Sequence, residues 1–68
     1  MYNDVLENFG KKLKELRQKK GLSQEALALE IDVDRTYIGK IERAERNISL
    51  KMVGKIAKAL NIEVKELF

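Results

Sequence analysis

Apolar residues recur along the chain at the spacing of amphipathic α-helices, not with the alternation typical of a half-buried β-strand. In the first twenty residues they form one stripe on a single helix face, made of Leu6, Phe9, Leu13 and Leu16. Gly21 follows two lysines and readily takes the left-handed conformation in which helices commonly end. The pattern predicts a first helix that stops near Gly21.

Four later helix starts share one local pattern. In each, a candidate N-cap follows an apolar residue, and a second apolar residue comes four positions after the cap. The caps are Ser23, Asp34, Ser49 and Glu63, of which glutamate is the weakest. The pattern predicts helices that begin near residues 24, 35, 50 and 64, and the first three of these lack the glutamate or glutamine of a capping box.

The second and third predicted helices, about residues 24–31 and 35–43, are separated only by Asp32, Val33 and Asp34. So short a connection forces a sharp angle between two short helices, which is a helix-turn-helix within residues 23–43. If Asp32 is left-handed, replacement by glycine should be neutral or stabilising. Gly39 is expected to face outward, where a small residue would either admit close approach of a binding partner or reflect neutral drift.

Residues 44–49 are predicted to form a loop, and a fourth helix and a short fifth helix follow it. The expected architecture is therefore an all-α, five-helix bundle that forms one domain over residues 1–68. The residues expected to face its core after Gly21 are Leu27, Ala28, Ile31, Val33, Ile38, Ile41, Leu50, Val53, Ile56, Ala57, Leu60, Val64, Leu67 and Phe68.

The composition excludes several classes of function. The chain has neither cysteine nor histidine, so the common nucleophiles, general bases and soft metal ligands are missing. We expect no enzyme activity, no metal and no cofactor. No apolar run approaches the length of a membrane span or a signal-peptide core, and we expect a cytoplasmic protein without a membrane partner.

Charge is distributed unevenly along the chain, whose formal net charge is +3. Residues 23–34 hold four acidic residues and no basic one, whereas residues 35–58 hold seven basic residues and two acidic ones. Positive charge thus concentrates from the start of the third predicted helix onward. This distribution suits a surface that faces phosphates.

The stretch from Leu16 to Phe68 resembles the phage-repressor and Cro-like helix-turn-helix family, and it covers most of the chain. The resemblance lies in SQEALA at residues 23–28, followed by Val33 in the turn and by the residues of the third helix that match the pattern, namely Arg35, Tyr37, Ile38, Ile41 and Glu42. DRTYI at 34–38, IER at 41–43 and RN at 46–47 are most similar to the controller proteins of restriction–modification systems. In that family the turn usually has glycine where this chain has Asp32.

The resemblance implies roles for particular residues. The third helix would lie in the major groove with its first turns towards base edges, and Arg35 would bind guanine through two parallel hydrogen bonds. The base-contacting set is Arg35, Thr36, Tyr37 and Lys40. The phosphate-contacting set, which positions the protein without reading sequence, is Gln24, Arg43, Arg46, Asn47 and Lys51.

Simpler explanations exist for several of these side chains. Arg35 and Lys40, taken singly, are ordinary solvated charges, and Lys51 is a weak candidate because surface lysines mostly confer solubility. Lys55 and Lys58 are assigned to that role. The resemblance pairs Arg17 with Glu42 as a clamp on the third helix, and direct phosphate contact by Arg17 remains the alternative.

These expectations together describe a sequence-specific regulator that binds duplex DNA. One short recognition helix reads too few base pairs, so we expect a homodimer on a pseudo-palindromic operator, with Met52, Ile62 and Val64 as candidates for the dimer face. The narrower resemblance implies control of a restriction–modification operon. No small-molecule effector is expected. The competing interpretation is a protein-interaction module, either a helical adaptor or an antitoxin that needs a partner.

Overall fold

Four α-helices and one 3-10 helix make up the protein, as seen in a computed structural model that describes residues 2–68, with side chains from residue 4 onward. The helices are α1 (Tyr2–Lys19), α2 (Gln24–Glu30), α3 (Arg35–Glu42) and α4 (Leu50–Leu60), followed by a 3-10 helix at Val64–Leu67. No residue from 2 to 68 lies in a β-strand. The all-α class is confirmed, but the count of five helices is not, because the short fifth segment is a four-residue 3-10 helix.

The last four helices begin at the predicted residues because their caps are in place. The Ser23 and Ser49 hydroxyls accept hydrogen bonds from the backbone N–H of Ala26 and Met52, at 3.0 and 3.1 Å. At the 3-10 helix the Glu66 carboxylate accepts from the Glu63 N–H at 2.9 Å. The apolar residues before the four caps, namely Leu22, Val33, Ile48 and Ile62, all pack against the core.

Each of the four α-helices ends in the same way. Backbone bonds from Leu22 to Arg17, Val33 to Ala28, Glu45 to Lys40 and Ile62 to Ala57 measure 2.8–3.0 Å. The residue before each of these donors is left-handed: Gly21, Asp32, Ala44 and Asn61, with φ from 56 to 74°. This is the Schellman motif. Asp32 therefore has the conformation considered from the sequence, whereas left-handed Ala44 and Asn61 were not foreseen.

The core draws on every helix. α3 packs against α2 and α1, and the 3-10 helix closes the space between α1 and α4. The Phe9 and Phe68 rings meet with centroids 5.3 Å apart. The buried apolar residues are Phe9, Leu13, Leu27, Ala28, Ile31, Ile38, Ile41, Val53, Ile56, Ala57, Leu60 and Leu67.

Three residues expected in the core lie mostly outside it. Leu50 is 83 % exposed, Phe68 60 % and Val64 44 %. Leu50 is the first residue of α4, and the buried residues of that helix begin one turn later, at Val53. The helix period alone does not reveal that the first residue of α4 lies outside the core.

No helix within residues 2–68 is long and apolar enough to cross a membrane.

Candidate nucleic-acid interface

The start of α3 is held by Asp34, whose carboxylate accepts the Thr36 backbone N–H at 3.1 Å. This hydrogen bond, with a further one donated by the Thr36 hydroxyl and with the charge of Arg35, holds the pKa of Asp34 below its usual value. Asp34 thus stays ionised as a cap. The first turn of α3 is fixed at its N-terminus, next to the turn that joins it to α2.

The outward side of α3 carries polar and basic side chains. Arg35, Thr36 and Lys40 are all exposed, and the side chains of Arg35 and Lys40 have no hydrogen bond or ion pair with the residues whose side chains are described. On the opposite side of the same helix, Ile38 and Ile41 are fully buried. The helix therefore presents two uncommitted cations and a hydroxyl while its apolar side fixes its orientation.

Tyr37 takes a different direction from its neighbours. It is half-buried and packs against the core. The Arg46 guanidinium lies over its ring, 4.9 Å from the centroid, in a cation–π arrangement. Tyr37, Lys40 and Arg46 line one groove of about 510 Å³ together with Val33, Asp34, Thr36 and Met52. The face of the tyrosine ring is thus occupied by Arg46, and contact of that face with a base would require Arg46 to move.

A buried ion pair anchors the far end of α3. Arg17 Nε and Nη2 donate to Glu42 Oε2 and Oε1 at 2.7 and 3.1 Å, and Nη1 donates to the Leu22 carbonyl at 2.7 Å. The side chains are only 8 % and 3 % exposed. Because the arginine comes from α1 and the glutamate from α3, the pair ties these helices together. Burial leaves the Arg17 guanidinium little access to a phosphate.

Gln24 joins the same network. Its Nε2 donates to Glu42 Oε1 at 3.0 Å, so the first residue of α2 is bonded to the last residue of α3. Gln24 is half-buried, and its amide oxygen lies 3.5 Å from the place where a Cβ on Gly39 would stand. The family resemblance implied that Gln24 contacts a phosphate, and it did not reveal the hydrogen bond from Gln24 to Glu42.

Arg43 follows α3 and is ion-paired on the surface. Its Nε and Nη2 donate to the two carboxylate oxygens of Glu45 at 3.1 and 3.3 Å. Arg43 Nη1 lies 3.1 Å from the position of a Cβ added to Gly39. Gly39 is buried, so the expectation that it faces outward is wrong: the Arg43 and Gln24 side chains lie over it.

The remaining two predicted phosphate ligands lie beyond α3. Asn47 and Lys51 are exposed, one in the loop and the other in the first turn of α4. Asn47 borders an apolar groove of about 200 Å³, whereas its neighbour Arg46 borders the groove of Tyr37 and Lys40. The predicted site residues therefore form a central group on α3, a network around Glu42, and two flanking positions.

Sequence reasoning missed two residues at the end of α3 and beside it. Glu45 is the partner of Arg43, and its opposite charge two positions along was the available signal. Gly10 is buried in α1, and a Cβ there would stand 2.6 and 2.7 Å from the carbonyl oxygens of Glu42 and Ile41. No pattern in the sequence reveals this close approach, because it joins residues far apart in the chain.

Two short helices at a sharp turn, with a basic outward face on the second, define a helix-turn-helix protein. Comparison with known proteins agrees. The helix-turn-helix family profile matches residues 13–67. The chain is 51 % identical over 67 residues to control protein C.MunI of Mycoplasma sp, covering 97 % of this chain and 90 % of that one. It is 47 % identical over 68 residues to control protein C.BamHI of Bacillus amyloliquefaciens, covering 98 % and 84 %.

A solved structure extends the likeness to three dimensions. The restriction–modification controller protein C.AhdI of Aeromonas hydrophila superposes with a TM-score of 0.89 at 52 % identity, covering 96 % of this chain and 97 % of that one. The chain belongs to the helix-turn-helix family of DNA-binding transcriptional regulators and, within it, to the controller proteins of restriction–modification systems.

Proposed function

We propose that this protein binds a pseudo-palindromic operator as a homodimer and regulates the operon of a restriction–modification system. One observation carries the DNA-binding part: Arg35, Thr36 and Lys40 are exposed on α3, and the two cations have no hydrogen bond or ion pair with the residues whose side chains are described. The opposite end of that helix is held to α1 and α2 through Glu42. A rigidly held helix with free polar side chains is what base recognition requires, because the base edges of the major groove offer fixed donors and acceptors.

The residues divide by their geometry in this proposal. Arg35, Thr36 and Lys40 contact bases, and Tyr37 acts mainly by holding Arg46 beside them. Arg46 and Arg43 contact phosphates, with Gln24, Asn47 and Lys51 as further candidates. Arg17 supports α3 through Glu42 and does not touch DNA, since its side chain is buried.

An exposed apolar surface supports the homodimer. Val5, Leu50 and Phe68 are each more than half exposed and line the same groove of about 200 Å³. Large apolar side chains that are exposed singly are common, but a group of them on one surface typically marks an interaction site. Of the dimer residues proposed from the sequence, Met52 and Ile62 pack against the core instead, while Val64 is 44 % exposed. We therefore place the dimer face around Val5, Leu50 and Phe68.

Selection of bound sequences from random duplex DNA tests the recognition helix. We expect two half-sites about 34 Å apart, centre to centre. Arg35→Ala should lose preference at one guanine in each half-site, by about 1–3 kcal/mol, while binding to random duplex is retained. Lys58→Ala is the matched control, because Lys58 is exposed on α4 outside the proposed interface. Uniform weakening by Arg35→Ala would assign that residue to the DNA backbone.

The dimer face is tested by a pair of leucine substitutions. Leu50 and Leu29 are 83 % and 77 % exposed, but only Leu50 lines the apolar groove. Leu50→Glu should shift the protein to monomer in analytical ultracentrifugation and weaken operator binding, whereas Leu29→Glu should do neither. If the wild-type protein fails to bind any duplex at about 50 mM salt, where phosphate contacts are strong, the protein-interaction module replaces this proposal.

A further inference from the structure

The ion pair between Arg43 and Glu45 stands where the proposed function needs a free cation. Both bonds of the pair run from the guanidinium edge to the two carboxylate oxygens, at 3.1 and 3.3 Å. The side chains are 58 % and 54 % exposed. Since an arginine fork matches a carboxylate and a phosphate equally well, Glu45 occupies the same N–H groups that a DNA phosphate would use.

The backbone at the end of α3 creates this pairing. Side chains two positions apart on a helix do not face each other, but Ala44 between them is left-handed, with φ 61°. The reversal brings the Glu45 N–H to the Lys40 carbonyl at 2.8 Å. This hydrogen bond fixes the backbone of Glu45. Its carboxylate therefore lies beside Arg43, and no long loop has to become ordered to place it there.

The Arg43 side chain lies on the proposed interface. Its Nη1 stands over buried Gly39, and the amide oxygen of Gln24 lies over the same residue. The guanidinium thus lies between the outward side of α3 and the start of α2. A phosphate bound there would meet Arg43 and compete with Glu45 for it.

We propose that Glu45 acts as an internal competitor for DNA phosphate, so that Arg43 exchanges a carboxylate for a phosphate on binding and affinity for the DNA backbone is held down. The inference rests on the proposed function, because it takes Arg43 as a phosphate ligand. Exposed ion pairs are weak, about 0.2–1 kcal/mol, so the exchange is readily reversible. The competition applies to any DNA sequence, because phosphates are common to all.

The test is a double-mutant cycle on binding to random duplex DNA, followed by fluorescence anisotropy over a series of salt concentrations. Glu45→Gln should tighten binding by about 1.4- to fivefold, the range that follows from releasing one exposed pair. Arg43→Gln should weaken binding and lower the salt slope by about 0.9, the contribution of one phosphate. In the Arg43→Gln background, Glu45→Gln should change the affinity only by the general effect of one negative charge fewer.

Glu25→Gln is the matched control, because Glu25 is an exposed acid in the first turn of α2, beside Gln24. Its removal measures the general effect of one negative charge fewer and should be the same with or without Arg43. If Glu45→Gln tightens binding equally in both Arg43 backgrounds, Glu45 acts only through the overall field and the proposal is wrong.

Two other results also count against it. Weaker binding by Glu45→Gln would mean that Glu45 positions Arg43 for DNA instead of competing for it. Absence of any duplex binding by the wild-type protein would refute the proposed function itself. If the wild-type protein binds duplex DNA and Glu45→Gln does not change the affinity, only the proposed competition by Glu45 is refuted. Thermal unfolding of each variant checks that it folds, and the melting temperature should change little because both side chains of the pair are exposed.

Discussion

Two arginine–carboxylate pairs meet at the end of α3, and they share chemistry but not surroundings. Glu42 pairs with Arg17, and the adjacent residue, Arg43, pairs with Glu45; both pairs use two hydrogen bonds. The first pair is 8 % and 3 % exposed, the second 58 % and 54 %. The first joins α1 to α3 across 25 residues, while the second spans two residues of one loop.

The difference shows that burial decides what an ion pair does. A buried charge that loses its partner stays out of water without compensation, so the pair persists and fixes the helices that carry it. An exposed pair can exchange its partner for water or for another anion at little cost. The same end of α3 thus holds a permanent support on one side and an exchangeable cation on the other.

Arg17→Ala is expected to have the largest effect. It leaves Glu42 buried with only Gln24 as a partner, and the loss should be about 3–5 kcal/mol in the free energy of unfolding. Urea unfolding measures this loss, and the melting temperature should fall with it. Removing both charges with Arg17→Ala and Glu42→Ala together should cost less than the sum of the single changes. An unchanged melting temperature for Arg17→Ala would refute the clamp.

Gly10→Ala should have the next largest effect, because α1 brings Arg17 to Glu42 only by lying close to the end of α3. The added Cβ would stand 2.6 Å from the Glu42 carbonyl oxygen, so backbone must move. We expect a loss of about 1–3 kcal/mol, typical of overpacking. Gly54→Ala is the matched control: nothing lies within 4 Å of its Cβ position, and it should stabilise α4 by about 1 kcal/mol.

Ala44→Gly should stabilise the protein by a smaller amount. Ala44 lies between Arg43 and Glu45 in the left-handed conformation, which is unfavourable for any residue with a Cβ. Relief of that strain, less the greater freedom of glycine in the unfolded chain, leaves a gain of about 0.5–1 kcal/mol. Differential scanning calorimetry detects it as a higher melting temperature. A decrease would show that the chain does not turn through a left-handed residue there.

Asp32→Gly serves as the companion to that substitution, because Asp32 has nearly the same φ of 59°. Aspartate tolerates this region better than alanine does, so the change should be neutral or mildly stabilising. A loss above about 1 kcal/mol would contradict the left-handed conformation.

Arg43→Gln should have the smallest effect on stability, within about 0.5 kcal/mol, because both members of its pair face water. Chemical denaturation of this variant beside Arg17→Ala measures the contrast between the two pairs directly. If the two substitutions destabilise the protein equally, burial does not separate the two roles.

The helix starts and the helix-turn-helix could be predicted from the sequence, because caps, flanking apolar residues and a three-residue turn act over a few neighbouring positions. Helices α2, α3 and α4 begin at the expected residues. The family resemblance added Arg35, Thr36 and Lys40 as residues of the third helix that face a partner, and all three are exposed on α3. The Arg17–Glu42 pairing came from family resemblance, since nothing local connects positions 25 apart.

The tertiary structure alone decided where the core stops and which partner each polar side chain takes. Leu50 continues the apolar stripe of α4 in sequence yet lies 83 % exposed, because helix period describes a face and not the length of that face in contact with other helices. Gly39 appeared to lie outside on α3, but the long side chains of Gln24 and Arg43 cover it. Burial, which separates the two ion pairs at the end of α3, is a property of the packed helices, and the sequence determines it only through the whole fold.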